Sequence, residues 1–226
     1  MSHDPVSKFP LKVITLGLMF LFFAHYLFQG EASLQGPDTL EQAKASYLNN
    51  CSKCHGIDAG GDKKIGSPSL AGLPLWYTSL QIKSFLKGHR GAKDEDVPGN
   101  MMRVHLKSVD ENETVLALEY LTILSPVQHE PTLSGNLSNG KRLYHQHCSK
   151  CHRYNASGEK IFKSSPLVTF QDWYLLEQLN KFSVGLRGYH PEDHLGQKMK
   201  SALSNNLESM NFNDMITYIC RLNHDE

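Results

Sequence analysis

The chain has 226 residues, 20% of them charged, with Lys plus Arg equal to Asp plus Glu at 23 each. The balance also holds locally, since residues 37–124 carry 10 basic and 11 acidic groups and residues 125–226 carry 11 and 10. There is no basic face for nucleic acid and no strong global field, and the length suits two small domains of about 90–100 residues.

The first predicted element is the only long apolar run, residues 13–28, preceded by Lys8 and Lys12. Counted from Phe9, residues 9–28 reach the ~20 residues a helix needs to cross a bilayer. The basic flank would leave the N-terminus in the cytoplasm and the rest of the chain outside. A cleaved signal peptide with a small-x-small site at Gly30-Glu31-Ala32 is the competing reading. The length of the run and its aromatic exit (Phe22, Phe23, Tyr26, Phe28) favour a retained anchor. Residues 1–36 are therefore assigned to an anchor and short linker, which places the body of the protein in the periplasm of a bacterial inner membrane. His25, near the outer end of this segment, reads as interfacial.

Helices are predicted next at about 38–50, with a capping box at Thr39-x-x-Gln42, then at 75–87 and 113–124. A Gly-, Ser- and Pro-rich loop follows the first, and a polar loop precedes the third. Residues 125–138 form a linker with two prolines, predicted as a partly extended connector. Helices then recur at about 139–148, 173–184 and 213–222. No alternating strand pattern appears, so the fold class is all-α, with domains at 37–124 and 139–226.

The halves are copies of one another. Adding 97 carries Cys51, Cys54 and His55 to Cys148, Cys151 and His152. It also carries Tyr47 to Tyr144, Trp76-Tyr77 to Trp173-Tyr174, Gln81 to Gln178, Phe85 to Phe182, Gly88 to Gly185, Arg90-Gly91 to Arg187-Gly188 and Gly99 to Gly196. Register kept this far beyond one motif marks an internal duplication.

The two motifs are Cys51-Ser52-Lys53-Cys54-His55 and Cys148-Ser149-Lys150-Cys151-His152. Cys-x-x-Cys-His is the attachment signature of c-type haem. Its cysteines form thioethers to the porphyrin vinyl groups and its His is the proximal iron ligand, so the chain is predicted to carry two covalent haem c groups. A four-cysteine zinc site pairs its Cys-x-x-Cys units about 15–20 residues apart, far closer than these. The repeat also supplies a sixth ligand, because Met102 plus 97 is Met199. His/Met ligation raises the reduction potential, and a filled sixth site hinders peroxide or oxygen.

Met101 maps onto Lys198, and His105, His190 and His194 map onto Ala202, Lys93 and Val97, so none of these rivals recurs in both halves. Met210 and Met215, in or near the last helix, read as core. Around the irons, the carbonyls of Pro68 and Pro166 are candidates to accept from the proximal histidines, one residue out of register with each other. Trp76, Tyr77, Arg90, Trp173, Tyr174 and Arg187 are candidate partners of haem propionates. The competing reading makes the aromatics plain core and the arginines exposed. Cys220, the one cysteine outside the motifs, reads as a small buried hydrophobe.

With these residues in order, the sequence resembles a dihaem class I cytochrome c of the cytochrome c4 type over about residues 37–226. The resemblance rests on the two motifs with Gly56, Leu70-Ala71-Gly72, Pro166-Leu167, the Trp-Tyr pairs, Gln81 and Gln178, Phe85 and Phe182, the Gly-x-Arg-Gly turns, Met102 and Met199, and Leu118-Glu119-Tyr120. It implies two all-α haem lobes packed face to face, with propionates near the interface, and periplasmic electron donation to a terminal oxidase. Arg153 in place of the Gly that follows His55, and the asparagines at 205–206, depart from the pattern. The expected function is a membrane-anchored electron carrier, not an enzyme, with redox protein partners such as a quinol-oxidising complex and a terminal oxidase and no small-molecule substrate. A fixed subunit of a respiratory or photosynthetic complex is the main alternative, and a dihaem peroxidase is a third, opposed by the paired methionines.

Overall fold

The computed structural model describes residues 36–206 and 210–224. The segment at 9–28 lies outside the described residues, among which no helix is long and apolar enough to cross a membrane. The described residues from Asp38 onward form one compact unit.

The first half folds as α1 (Pro37–Asn50), a one-turn α2 (Ser52–His55), α3 (Leu75–Leu86), α4 (Val97–Leu106) and α5 (Glu111–Ile123). The second repeats it as α6 (Leu137–His147), α7 (Ser149–His152), α8 (Asp172–Ser183), α9 (His194–Ser204) and α10 (Phe212–His224). The described residues contain no strand, and two isolated bridges, Asp62 to Ser67 and Glu159 to Ser164, close the loop after each motif.

Two local expectations are corrected. The Thr39-x-x-Gln42 box does not start α1, which begins two residues earlier at Pro37. Proline suits a first helical position because the N–H it lacks has no partner there anyway. Secondly, the methionines lie on helices and not in a polar loop. Asp96 and Asp193 accept from the N–H groups of Gly99 (3.1 Å) and Gly196 (2.9 Å), capping α4 and α9. Such a cap is worth about 1 kcal/mol, which offsets the poor helix propensity of the early glycine. The recurrence of Asp at offset 97 was the available signal.

Gly91 and Gly99 show why the repeat keeps both glycines. A Cβ on Gly91 would lie 2.1 Å from the Gly99 carbonyl oxygen, and one on Gly188 would lie 2.4 Å from that of Gly196. The turn after α3 or α8 thus presses directly on the first turn of the Met-bearing helix. In the last helix the register changes. Tyr47 meets Tyr120 with ring centroids 5.6 Å apart, and Tyr144 meets Tyr218 at 5.6 Å, an offset of 98 instead of 97. One extra residue therefore lies between Gly196 and Tyr218, compared with Gly99 and Tyr120.

Residues 125–136 make no helix or strand, the predicted linker's last two residues opening α6 instead, and this stretch is tied to the second half by carboxylates. Asp172 accepts from the backbone of Thr132 and of Leu133 (2.6 Å), and Asp214 accepts from Asn136 N–H (2.7 Å).

The halves share a core. Leu73 and Tyr77 pack with Tyr144, Phe170, Tyr174 and Ile216, and the Tyr77 and Phe170 rings lie 5.9 Å apart. Polar bonds fix the seam. The buried Gln171 accepts from Ser69 N–H (3.0 Å) and donates to the Gly60 carbonyl (2.7 Å). Lys181 Nζ meets Asp96 (2.7 Å) and Glu177 (2.5 Å). Gln171→Ala would leave a buried donor and a buried acceptor unpaired. A loss of about 2 kcal/mol is expected in denaturant unfolding of the haem-loaded protein, and an unchanged midpoint would show that the bridge contributes nothing.

Candidate haem centres

Each Cys-x-x-Cys-His motif forms the turn that follows the first helix of its half, so all three side chains leave one short helical segment. His55 and His152 are buried, at 6% and 8% exposure. Nδ1 of His55 lies 2.9 Å from the carbonyl oxygen of Pro68. Nδ1 of His152 lies 2.9 Å from that of Ser165. This corrects the expectation for Pro166, which instead precedes the 3₁₀ turn at Leu167–Thr169. Both acceptors stand 13 residues after their histidine, so the backbone position repeats and the residue type does not. A main-chain carbonyl serves equally from Pro or Ser. Holding the proton on Nδ1 leaves Nε2 of each ring with its lone pair available to iron. Burial lowers the pKa of both histidines, favouring the neutral, ligating form.

The loop behind each ring is reproduced closely. Tyr47 donates to the Gly56 carbonyl (2.6 Å) and Tyr144 to that of Arg153 (2.7 Å). Arg153 takes φ +69° and ψ 164° where Gly56 takes +82° and 157°, so the second half places a non-glycine residue in a backbone region almost reserved for glycine, at a cost of roughly 1–3 kcal/mol. Burial pushes the Cys51 thiol up to about 11 and the Cys148 thiol up to about 12. Surroundings that favour neutral sulfur suit a thioether better than a zinc thiolate.

Met102 and Met199 are half-buried on α4 and α9, whereas Met101 is 53% exposed. Nε2 of His105 is 2.6 Å from the Asn50 carbonyl, tying α4 to the end of α1. His190 lies at the seam against His89, with ring centroids 4.7 Å apart.

The seam gathers the arginines and tyrosines, and the tryptophans pack partly buried against the shared core. Arg90 is buried, donating to Gln81 (2.6 Å), to the Tyr174 hydroxyl (3.2 Å) and to Gln178 (3.3 Å). Arg187 donates to the same Gln178 oxygen (2.9 Å). Each guanidinium also covers a phenylalanine ring, Arg90 on Phe85 at 4.4 Å and Arg187 on Phe182 at 4.2 Å. The arginines are thus not exposed. Gln81 and Gln178, kept by the repeat without an assigned task, are their bridges. Trp76 and Trp173 are half-buried, each edge-on to its neighbouring tyrosine at 5.8 and 5.9 Å.

Two neighbouring guanidinium groups in a buried seam demand counter-charge. Burial, then repulsion from Arg90, brings the Arg187 pKa down to about 10. Nε of both Arg90 and Arg187 is closed from solvent and has no hydrogen-bond partner. Orphaned cationic donors of this kind fit anionic oxygens, which haem propionates possess. The residues present therefore fit two haem groups: the cysteines as covalent tethers, the histidines as iron ligands, and the arginines as propionate partners.

Cys220 is half-buried, and burial, then Asp172, pushes its thiol up to about 12. The native haem-loaded protein is expected to show essentially no thiol reactive with an aromatic disulfide at pH 8, and one after denaturation. Fast labelling of the native protein would contradict the burial.

The family profile for Cytochrome c matches residues 40–124 and 137–223. Among curated proteins, the cbb3-type cytochrome c oxidase subunit FixP of Sinorhizobium medicae is 46% identical over 35 residues. FixP of Rhizobium meliloti is 43% identical, also over 35 residues. These stretches are 16% of this chain and 12% of either relative. Among solved structures, cytochrome c4 of Acidithiobacillus ferrooxidans superposes with TM-score 0.59 at 20% identity, covering 76% of this chain and 98% of its own. Cytochrome c4 of Pseudomonas stutzeri gives TM-score 0.58 at 18% identity, with coverage of 81% and 97%. A thiosulfate dehydrogenase (TsdBA) of Marichromatium purpuratum gives TM-score 0.62 at 20% identity over 81% of this chain, but the chain spans only 40% of its length.

Proposed function

The chain belongs to the cytochrome c family with two covalent haem c groups, and from that premise we propose that it is a membrane-anchored carrier passing electrons at the periplasmic face from a quinol-oxidising complex to a terminal oxidase or similar acceptor. The haems supply one-electron exchange at iron. The observation that carries the reading is the matched methionine in each half, half-buried on a helix capped by Asp96 or Asp193. We assign Met102 and Met199 as sixth ligands on that basis. A protein whose irons are filled by His and Met has no open site for substrate, which suits a carrier.

The chain's own residues then have simple tasks. His55 and His152 stay neutral and oriented by main-chain carbonyls. Arg90 and Arg187 place positive charge at the seam, and the shared core keeps the two centres at fixed separation. None of these groups needs to gain or lose a proton. Residues 9–28 hold the body at the membrane, a role supported by the length and basic flank of that run.

A second reading, a fixed electron-transfer subunit, is favoured by the short matches to an oxidase subunit. The thiosulfate dehydrogenase shares the fold, which by itself assigns no activity. Absorption spectroscopy of the oxidised protein tests the carrier reading. A methionine-to-iron charge-transfer band equivalent to two haems is expected. A high-spin haem or peroxide turnover would overturn it. Purification in mild detergent separates the two carrier forms: recovery alone favours the tethered shuttle, and co-migration with an oxidase favours the subunit.

A further inference from the structure

Beyond the haems, a second donor set lies on the seam between the halves. His89, in the turn after α3, and His190 and Glu192, in the loop after α8, each present one ligand atom, and these atoms all lie within 4.8 Å of one another. We propose that they form a divalent transition-metal site, of zinc type, that staples the two haem lobes together.

Three observations carry it. First, two imidazoles and one carboxylate are the donor set and number that zinc accepts with one position left open. Second, Nε2 of His89 is shut off from solvent and has no hydrogen-bond partner. Ring stacking accounts for the 4.7 Å centroid spacing and 35° tilt of His89 on His190. It leaves the orphaned nitrogen and the adjacent carboxylate unexplained. Third, the loops that bear the donors are already pinned together. Tyr189 donates to the Gly88 carbonyl at 2.6 Å, and Lys93 lies over the Tyr189 ring at 5.0 Å.

Tetrahedral zinc with bonds near 2.0–2.1 Å holds its ligand atoms about 3.3 Å apart. Closing from separations of no more than 4.8 Å asks for no more than about 1.5 Å of movement, which the exposed Glu192 side chain supplies most readily. Nδ1 of His190 accepts from Glu192 N–H at 3.2 Å, which ties the two donors of that loop to each other. Arg103 and Lys93 are the nearby opposing charges at Tyr189, and Asp96 and Asp193 offset them. The donors are not duplicated: under the 97-residue offset His89 falls on Leu186 and His190 on Lys93. The site thus exists once, and only because the halves face each other.

Titration of the haem-loaded protein with Zn2+ by calorimetry, after chelator treatment, tests it. One zinc per chain is expected, retained through dialysis and raising the thermal midpoint. Glu192→Gln, at an exposed position that leaves folding intact, is expected to weaken this binding at least about 10-fold, as are His89→Ala and His190→Ala. Absence of a one-to-one event in the parent protein overturns the proposal. So does zinc binding that Glu192→Gln and His190→Ala both leave unchanged, which would place the ion on other histidines.

Discussion

Replacing Met102 with histidine is expected to lower the reduction potential of the N-terminal haem by on the order of 0.2 V, part of the ~0.8 V that axial ligation spans, and to leave the other haem where it was. A neutral thioether favours ferrous iron, whereas a second imidazole donates more strongly and favours ferric iron. The position is held for the exchange. Asp96 caps α4, the Gly91–Gly99 approach sets its first turn, and Met102 is half-buried beside an exposed Met101. Spectroelectrochemical titration checks this as a separation of two haem waves, with loss of half the charge-transfer band. The same shift produced by Met101→His, with Met102→His silent, would reverse the assignment. Met199→His is expected to move the other wave.

Gly140→Ala is expected to destabilise the second lobe by about 3 kcal/mol, at the upper end of overpacking. Gly140 lies in α6 where it crosses α10. A Cβ there would stand 1.9 Å from the Asp214 carbonyl oxygen and 2.5 Å from its carbonyl carbon. These are backbone atoms, so relief requires the helices to separate. Alanine's helix propensity returns only about 1 kcal/mol. The equivalent place in the first lobe is Ala43, which is fully buried, so the two helix pairs differ in how closely their backbones approach there. Chemical denaturation of the haem-loaded protein should show a lower midpoint for Gly140→Ala. A midpoint equal to the parent's would mean that the helices slide apart at no cost.

Much of the haem chemistry was legible because it is local. Two cysteines and a histidine at fixed spacing lie on one short turn, and covalent geometry admits few other partners. The duplication was legible for a different reason: side chains that touch the same features in both halves kept their spacing. Helices with a regular apolar pattern read clearly, whereas α4 and α9 did not. An early glycine in each, with Pro98 in α4, masks a helix whose first turn is capped by an aspartate. Ser165 escaped because a carbonyl acceptor leaves no trace in side-chain identity, and proline drew attention one residue too late. Arg153 in place of glycine departs from the repeat, and the structure locates its cost in one positive φ.

The sequence by itself determined the attachment chemistry, the duplication, and the all-α character, since each rests on bonding or periodicity within a few residues. Only the tertiary structure decided what stands between the lobes. Gln171 reaches Ser69 and Gly60, Lys181 reaches Asp96, and Arg90 reaches Tyr174, over separations of 84 to 111 residues. Such partners leave no spacing rule in the chain, because long-range polar contacts depend on how two folded surfaces meet. The same meeting buries two arginines beside each other and brings His89 to His190.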